Sequence, residues 1–303
     1  MTMTHFNDLM AHAESEQYAV GYFESWSLES LMAIADAAEA TQSPVLLGFS
    51  GIYLNHPNRV RSEILSVYST MGLEICHQIS TPSMLVFNES PHLESTREAI
   101  DLGFGLVMFS DDQLAYADQM TQVQRIVEIA HGSGVAVEGE AESLPGIGGD
   151  LLEIPDNVRL TNIESAREFV EKTGVDAFAV NIGQMHLHGK REVHLNLDLL
   201  SDLNAALKIP LVLHGSTSVP PEELAAAVKK GIRKINVGSL LKQTYFEAMR
   251  GGWAAAGNSY NPYEIIGSGL KEDVLMAGRI ALQEKVEHYM HLFGSAGKAK
   301  PLS

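Results

Sequence analysis

Eight times along this chain a short apolar run ends in small polar or charged residues and gives way to a stretch with helical spacing. The runs lie at 19–24, 44–49, 83–87, 106–109, 135–140, 177–183, 210–213 and 234–239. No other feature restricts the fold as much. Continuous apolar runs are the composition of strands buried on both faces, and helices between them imply parallel crossovers. Eight such units close a (β/α)8 barrel with no strand left over. A doubly wound open sheet is the competitor, but no Gly-rich nucleotide fingerprint follows the first run. The spacing predicts helices over 5–16, 27–40 (with Ser27 as N-cap), 57–71, 93–102, 114–131, 162–172 and 221–230. A long amphipathic helix is expected over 270–293. The fold expectation is therefore an α/β TIM barrel, one domain spanning 1–303.

Composition narrows the function classes. A net charge of −17 opposes nucleic acid or an acidic membrane surface as partner. An anionic ligand would have to be held by local dipoles, a metal or hydrogen bonds. One cysteine, Cys76, allows no intrachain disulfide and favours a reducing, cytoplasmic setting. The first residues lack a basic segment followed by an apolar core, and no apolar run approaches the ~20 residues of a membrane helix.

In a barrel of this kind chemistry sits at the C-terminal ends of the strands. Those ends carry Glu24, Ser50, Asn88 and Glu89, Ser110 and Asp111, Glu138 and Glu140, His186, His214, and Asn236 with Ser239. Gly215, Ser216 and Thr217 after the seventh run, with Gly238 and Ser239 after the eighth, offer backbone N–H groups and hydroxyls suited to a phosphate. Two histidines and a carboxylate with open positions suit a divalent metal such as Zn, Mn or Fe. Most of the 12 histidines are surface or structural by default; His77 and His188 are placed in that class.

Several segments resemble one family. Leu213-His214-Gly215-Ser216-Thr217-Ser218-Val219-Pro220 resembles the LHG-small-S-x-(V/I)-P segment of the class II, metal-dependent fructose- and tagatose-bisphosphate aldolases. Ile235-Asn236-Val237-Gly238-Ser239 resembles their INVAT segment, Val137-Glu138-Gly139-Glu140 their VEAE, and Asn181-Ile182-Gly183-Gln184-Met185-His186 their AIGT-small-H. Tyr18-Ala19-Val20 with Phe23, and Phe293 to Ala299, extend the likeness over nearly the whole chain. The resemblance implies a barrel that cleaves a phosphorylated ketose to dihydroxyacetone phosphate and an aldehyde through a metal-stabilised enediolate. It implies His186 and His214 as metal ligands, with zinc the first choice and manganese or iron the alternatives. It assigns Ser50, Gly183, Gly215, Ser216, Thr217, Asn236, Val237, Gly238 and Ser239 to substrate and phosphate binding. A homodimer or homotetramer is implied, as is a small-molecule ketose phosphate as the only partner.

The pattern breaks at the third run. The family has His-Leu-Asp-His there, the Asp an acid/base and the last His a ligand; this chain has Val86-Phe87-Asn88-Glu89. Asn88 cannot exchange a proton near neutral pH, whereas Glu89 can ligate, giving a metal set of Glu89, His186 and His214. Glu24 stands where the family has Asn and is expected to replace the missing acid/base. The catalytic set is thus Glu24, Asn88 and Glu140. Two other readings stay open: a non-catalytic sugar-phosphate-binding or partner subunit, and a metal-dependent isomerase or epimerase. The apolar stripe of the last helix (Leu275, Met276, Ile280, Leu282, Val286, Met290 and Phe293) is read as an oligomer contact or as core packing.

Overall fold

Eight parallel strands pair in chain order, and the last closes onto the first, making a complete barrel. The computed structural model describes residues 4–142, 144, 159–185, 192–258 and 260–299. Helix α1 (Phe6–Ser15) precedes β1 (Val20–Glu24). Then follow α2 (Leu28–Thr41), β2 (Val45–Ser50), α3 (Gly51–Leu54), α4 (Leu65–Gln78), β3 (Ser83–Ser90), α5 (Leu93–Asp101), β4 (Leu106–Phe109), α6 (Tyr116–Gly132) and β5 (Ala136–Glu140). The second half has α7 (Ile163–Thr173), β6 (Ala177–Val180), α8 (Leu197–Ala206), β7 (Leu211–Leu213), a 3-10 turn (Ser216–Ser218), α9 (Pro221–Lys229), β8 (Ile232–Val237), α10 (Ser239–Ala256), α11 (Pro262–Ile265) and α12 (Val274–Leu292).

The runs are apolar throughout because both faces of each strand are covered. Alternate residues face opposite ways. Phe23, Leu47, Phe49, Leu85, Phe87, Val107, Val137, Phe178, Leu213 and Val237 pack outward under the helices. Val20, Tyr22, Leu46, Met84, Val86, Leu106, Ala136, Ala177, Ala179 and Val212 fill the barrel. Phe6, Leu9, Met10 and Ala13 of α1 join this inner cluster and plug its lower end. The upper inward positions are polar and buried: Glu24, Ser50, Asn88, Glu138, His214 and Asn236. The inward face thus changes from apolar to polar at one level, and that level is the floor of the site.

Two expectations are corrected, and one left open is narrowed. The helix expected over 57–71 begins instead at Leu65 and runs to Gln78. Its buried face is Leu65, Ser69, Gly72, Ile75 and Cys76, so the true period starts after the polar 55–63 segment. Strand β3 does not end at Phe87 but continues to Ser90, with its register against β4 shifting between Phe87 and Ser90. The apolar stripe of α12 is mostly internal: Leu282, Val286, Met290 and Phe293 are buried in their own chain, and Arg279 forks onto Asp36 of α2 at 2.6 and 2.9 Å. Leu275 and Met276 are partly buried and Ile280 is half-exposed. Two long helices not foreseen, α8 and α10, complete the sixth and eighth units.

Candidate active site

The irregularity in β3 places two consecutive residues in the barrel mouth. Regular alternation would turn Asn88 inward and Glu89 outward. Glu89 instead adopts a left-handed backbone, φ 49°, and both side chains reach inward. The Asn88 amide donates to Glu89 Oε2 at 2.9 Å, and Glu89 Oε1 lies 2.9 Å from His214 Nδ1, across the barrel. A non-glycine residue in this region costs roughly 1–2 kcal/mol, offset by the contacts it makes possible.

His214 follows the end of β7, 1% exposed. Its other nitrogen, Nε2, lies 2.6 Å from Glu138 Oε1, and Lys234 Nζ lies 2.8 Å from Glu138 Oε2. Lys234 sits one layer lower on β8, level with Val20, and its stem passes the Tyr22 ring with the ammonium 5.0 Å from the centroid. The ammonium also donates to Asn236 Oδ1 at 2.5 Å. The Asn236 amide donates to Asn88 Oδ1 at 3.3 Å, so the chain of contacts closes on itself across four strands. Burial opposes charge on His214, but hydrogen bonds to Glu138 and Glu89 outweigh it and push the imidazolium up to about 10. Burial likewise opposes charge on Glu138, and Lys234 and His214 bring its carboxyl down to about 2. Burial lowers Lys234, against the pull of Glu138. Lys234 was not singled out in the sequence. A lysine at an inward position of a buried strand, with a glutamate inward on β5, is the signal that would have found the pair.

The β7 and β8 ends meet beside this centre. Gly215 has φ 60°, and a Cβ there would stand 3.1 Å from the Met185 backbone; only glycine makes that turn without strain. Ser216 Oγ donates to the Asn236 carbonyl at 2.7 Å, and Ser239 Oγ donates to Thr217 Oγ1 at 3.3 Å. Gly238 N-caps α10, whose N-terminal N–H groups face the same place. Val237 turns its side chain outward, leaving only its backbone for the cradle. Gly183, at φ 122°, lies beside the His194 carbonyl.

Glu24 ends β1 on the other flank of the cradle. Its Oε1 lies 2.5 Å from Lys242 Nζ on α10, and that ammonium stands 3.5 Å from the Tyr53 ring centroid. Burial raises the Glu24 carboxyl above the usual range although Lys242 works against it. Glu140, ending β5, accepts from Ser110 Oγ at 2.5 Å. Ser50, at the end of β2, is buried with no hydrogen-bond partner among the described residues.

Two groups suited to a divalent ion, the Glu89 carboxylate and His214 Nδ1, converge within hydrogen-bonding distance, with His214 oriented from behind by Glu138, an arrangement typical of metal-bound imidazole. The expected third donor, His186, lies outside the described residues, as do His188 and most of the 143–160 loop. Among the described residues no group of three His, Cys, Asp or Glu side chains forms a metal cluster. The donor chemistry present fits a metal with one ligand still to be supplied.

Comparison with known proteins bears on the family and the barrel. A relative from Geobacillus stearothermophilus, a fructose-bisphosphate aldolase, is 31% identical over 299 residues, covering 99% of both chains. A 6-phospho-5-dehydro-2-deoxy-D-gluconate aldolase from Shouchella clausii is 28% identical, covering 96% of this chain and 94% of its own. The crystal structure of the YdjI aldolase from Escherichia coli K12 superposes with a TM-score of 0.79 at 24% identity, covering 98% of this chain and all of the other, which supports the barrel. The family model for class-II fructose-bisphosphate aldolase matches residues 4–298. With its barrel closed and its match spanning nearly every residue, the chain belongs to the class-II fructose-bisphosphate aldolase family, enzymes of the lyase class.

Proposed function

We propose that this protein is a metal-dependent aldolase that cleaves a phosphorylated ketose to dihydroxyacetone phosphate and an aldehyde, with Glu24 as its acid/base. The observation that carries this reading is the position of Glu24 over the β7–β8 ends, its carboxyl raised by burial above the usual carboxylate range, while Asn88, where an acid would be expected, is an amide engaged by Glu89 and Asn236. The cradle of Gly215, Ser216, Thr217, Gly238 and Ser239 holds the phosphate, with Gly183 shaping its back wall. Asn236 and Ser50 offer polar contacts to the ketose chain. Glu24 takes the proton of the C4 hydroxyl, the C3–C4 bond breaks, the aldehyde forms at C4, and the electron pair left on C3 is later protonated. Asn88 orients Glu89, and Glu140, braced by Ser110, lies beyond them at the end of β5. A divalent ion held by Glu89, His214 and His186 would supply Lewis-acid polarisation of the ketose carbonyl; zinc is the first choice, manganese or iron the alternatives. A cytoplasmic homodimer or homotetramer completes the proposal.

The test is dihydroxyacetone phosphate release from ketose phosphates, with and without chelator, beside metal content by mass spectrometry. Near-stoichiometric metal in the parent and little in His214→Ala is expected. Glu24→Gln should lose about 10²–10⁴-fold in turnover, the usual worth of general acid/base catalysis, with Asn88→Ala far less affected. The reverse ranking would sink the role of Glu24. The engaged Asn88 favours a second reading, a sugar-phosphate-binding protein without turnover; ligand binding with no release of product from any ketose phosphate would establish it. Conversion of one ketose phosphate to an isomer without cleavage would point to an isomerase or epimerase instead.

A further inference from the structure

Around the cradle the charges are already matched. Glu138 is neutralised by Lys234 and His214 at the floor. On the β1–β2 side Lys242 stands at the rim, one third exposed, and its ammonium is held by Glu24 and capped by the Tyr53 ring. Glu24 is tied to the cradle itself: a Cβ at Gly238 would come 2.4 Å from Glu24 Oε2, so the carboxylate lies directly over the cradle's backbone. A ligand anchored there by one phosphate and rising along β1 and β2 must pass this oxygen. Carboxylate oxygens only accept hydrogen bonds. A sugar hydroxyl can donate to them; a phosphate dianion cannot, and it adds like-charge repulsion.

One neighbouring group fits the same kind of ligand. Ser50, two residues beyond the β2 glycine that pairs with Glu24, has a buried hydroxyl with no partner among the described residues. A sugar hydroxyl can both donate to it and accept from it. Among the described residues, the opposite side of the mouth gives a second anion no better place. There a cavity of about 370 Å³ is lined by Asp111, Asp112, Glu140 and Glu142 against the single guanidinium of Arg159.

We infer that Glu24 is a specificity-determining residue which, by cancelling the charge of Lys242, restricts the enzyme to ketoses carrying one phosphate and a neutral polyhydroxyl remainder. The inference rests on the aldolase reading for the identity of the ligand but not on turnover. It makes Lys242 a latent anion site: with the Glu24 charge removed, the ammonium is unmatched and would receive a second phosphate.

The experiment is calorimetric binding of two unreactive ligands, a hexitol 1-phosphate and the corresponding hexitol 1,6-bisphosphate, to the metal-loaded enzyme. Neither has a carbonyl, so neither is cleaved, and the loss of acid/base function in a Glu24 variant does not intrude. The parent should bind the monophosphate at least tenfold more tightly. Glu24→Gln should shift the ratio at least tenfold toward the bisphosphate, and adding Lys242→Met should undo that shift. Equal or tighter binding of the bisphosphate by the parent overturns the inference whatever the variants do, as does an unchanged ratio in Glu24→Gln. Absence of binding by either ligand overturns it together with the aldolase reading. A clear monophosphate preference with no dihydroxyacetone phosphate released from any ketose 1-phosphate would overturn the aldolase reading alone.

Discussion

Among the described residues, Lys234 and Glu138 are the least exposed charges, each side chain 0% exposed. A buried pair of this kind contributes little net stability over an apolar pair, but removing one partner strands the other. Lys234→Met should therefore cost about 3–5 kcal/mol in denaturant unfolding, and the double variant Lys234→Met, Glu138→Gln less than the sum of the singles. Additive losses would mean that the two charges do not support each other. The same substitution tests orientation: with Glu138 no longer held, His214 loses the group that fixes its ring, and metal content should fall although no ligand has been touched. Only part of this was legible beforehand. Glu24, Asn88, Glu89, Glu140 and His214 could be found because strand ends are where a barrel carries its polar side chains. Lys234 could not, because it lies a full layer below the mouth and reaches it only by the length of its stem. Lys242 escaped for another reason: it belongs to the first turn of a helix that was not foreseen.

At the scale of elements, apolar runs were a sound guide to strands because every strand here is buried on both faces. Helices were read less well where their outward faces carry apolar side chains. Helix α10 exposes Phe246 and Trp253, which blurs its amphipathic period, and the α3–α4 region was misplaced because Pro57 resembled a helix start. Capping was more readable. Ser27 accepts from the Ser30 N–H, and the Ser30 hydroxyl bonds back to Ser27, a reciprocal cap. Asp273, not read beforehand because the helix was expected from 270, caps α12 one way, its carboxylate accepting from the Leu275 N–H at 3.0 Å. Burial opposes its charge, but backbone N–H groups of Gly269, Leu275, Gly267 and Met276 hold its carboxyl below the usual range. A depressed carboxyl adds stability that is fully present above the unfolded pKa near 3.9 and is lost as pH falls through the folded one. Asp273→Ala should thus cost about 1 kcal/mol at pH 7, and the gap from the parent should close in urea unfolding below about pH 4. A gap independent of pH would assign the loss to packing.

The whole molecule depends on a plug at one end and a site at the other. Leu9 of α1 is fully buried beneath the barrel, in the same cluster as Tyr22 and Met84. Leu9→Ala should destabilise by about 2–5 kcal/mol and lower the thermal midpoint while leaving the affinity for a phosphate ligand unchanged at moderate temperature. A change in affinity without loss of stability would show that the lower layer is coupled to the mouth by more than support. The described residues also leave Phe246, Trp253, Tyr260, Tyr263 and Ile266 exposed on and after α10. Together they make this region, rather than the α12 stripe, the place to look for a subunit contact by light scattering of a Trp253→Lys variant. A parent that is monomeric at micromolar concentration would remove the oligomer from the proposal.

On the proposed reading of Glu89 as a metal-holding carboxylate, its left-handed backbone sets heat resistance against turnover. Glycine or asparagine would occupy that conformation more comfortably and would remove the carboxylate that faces His214. A laboratory population selected only to survive heating should therefore drift toward Gly or Asn at 89 and lose its chemistry on the way. One selected for product alone should keep the acidic residue and accept the weaker strand.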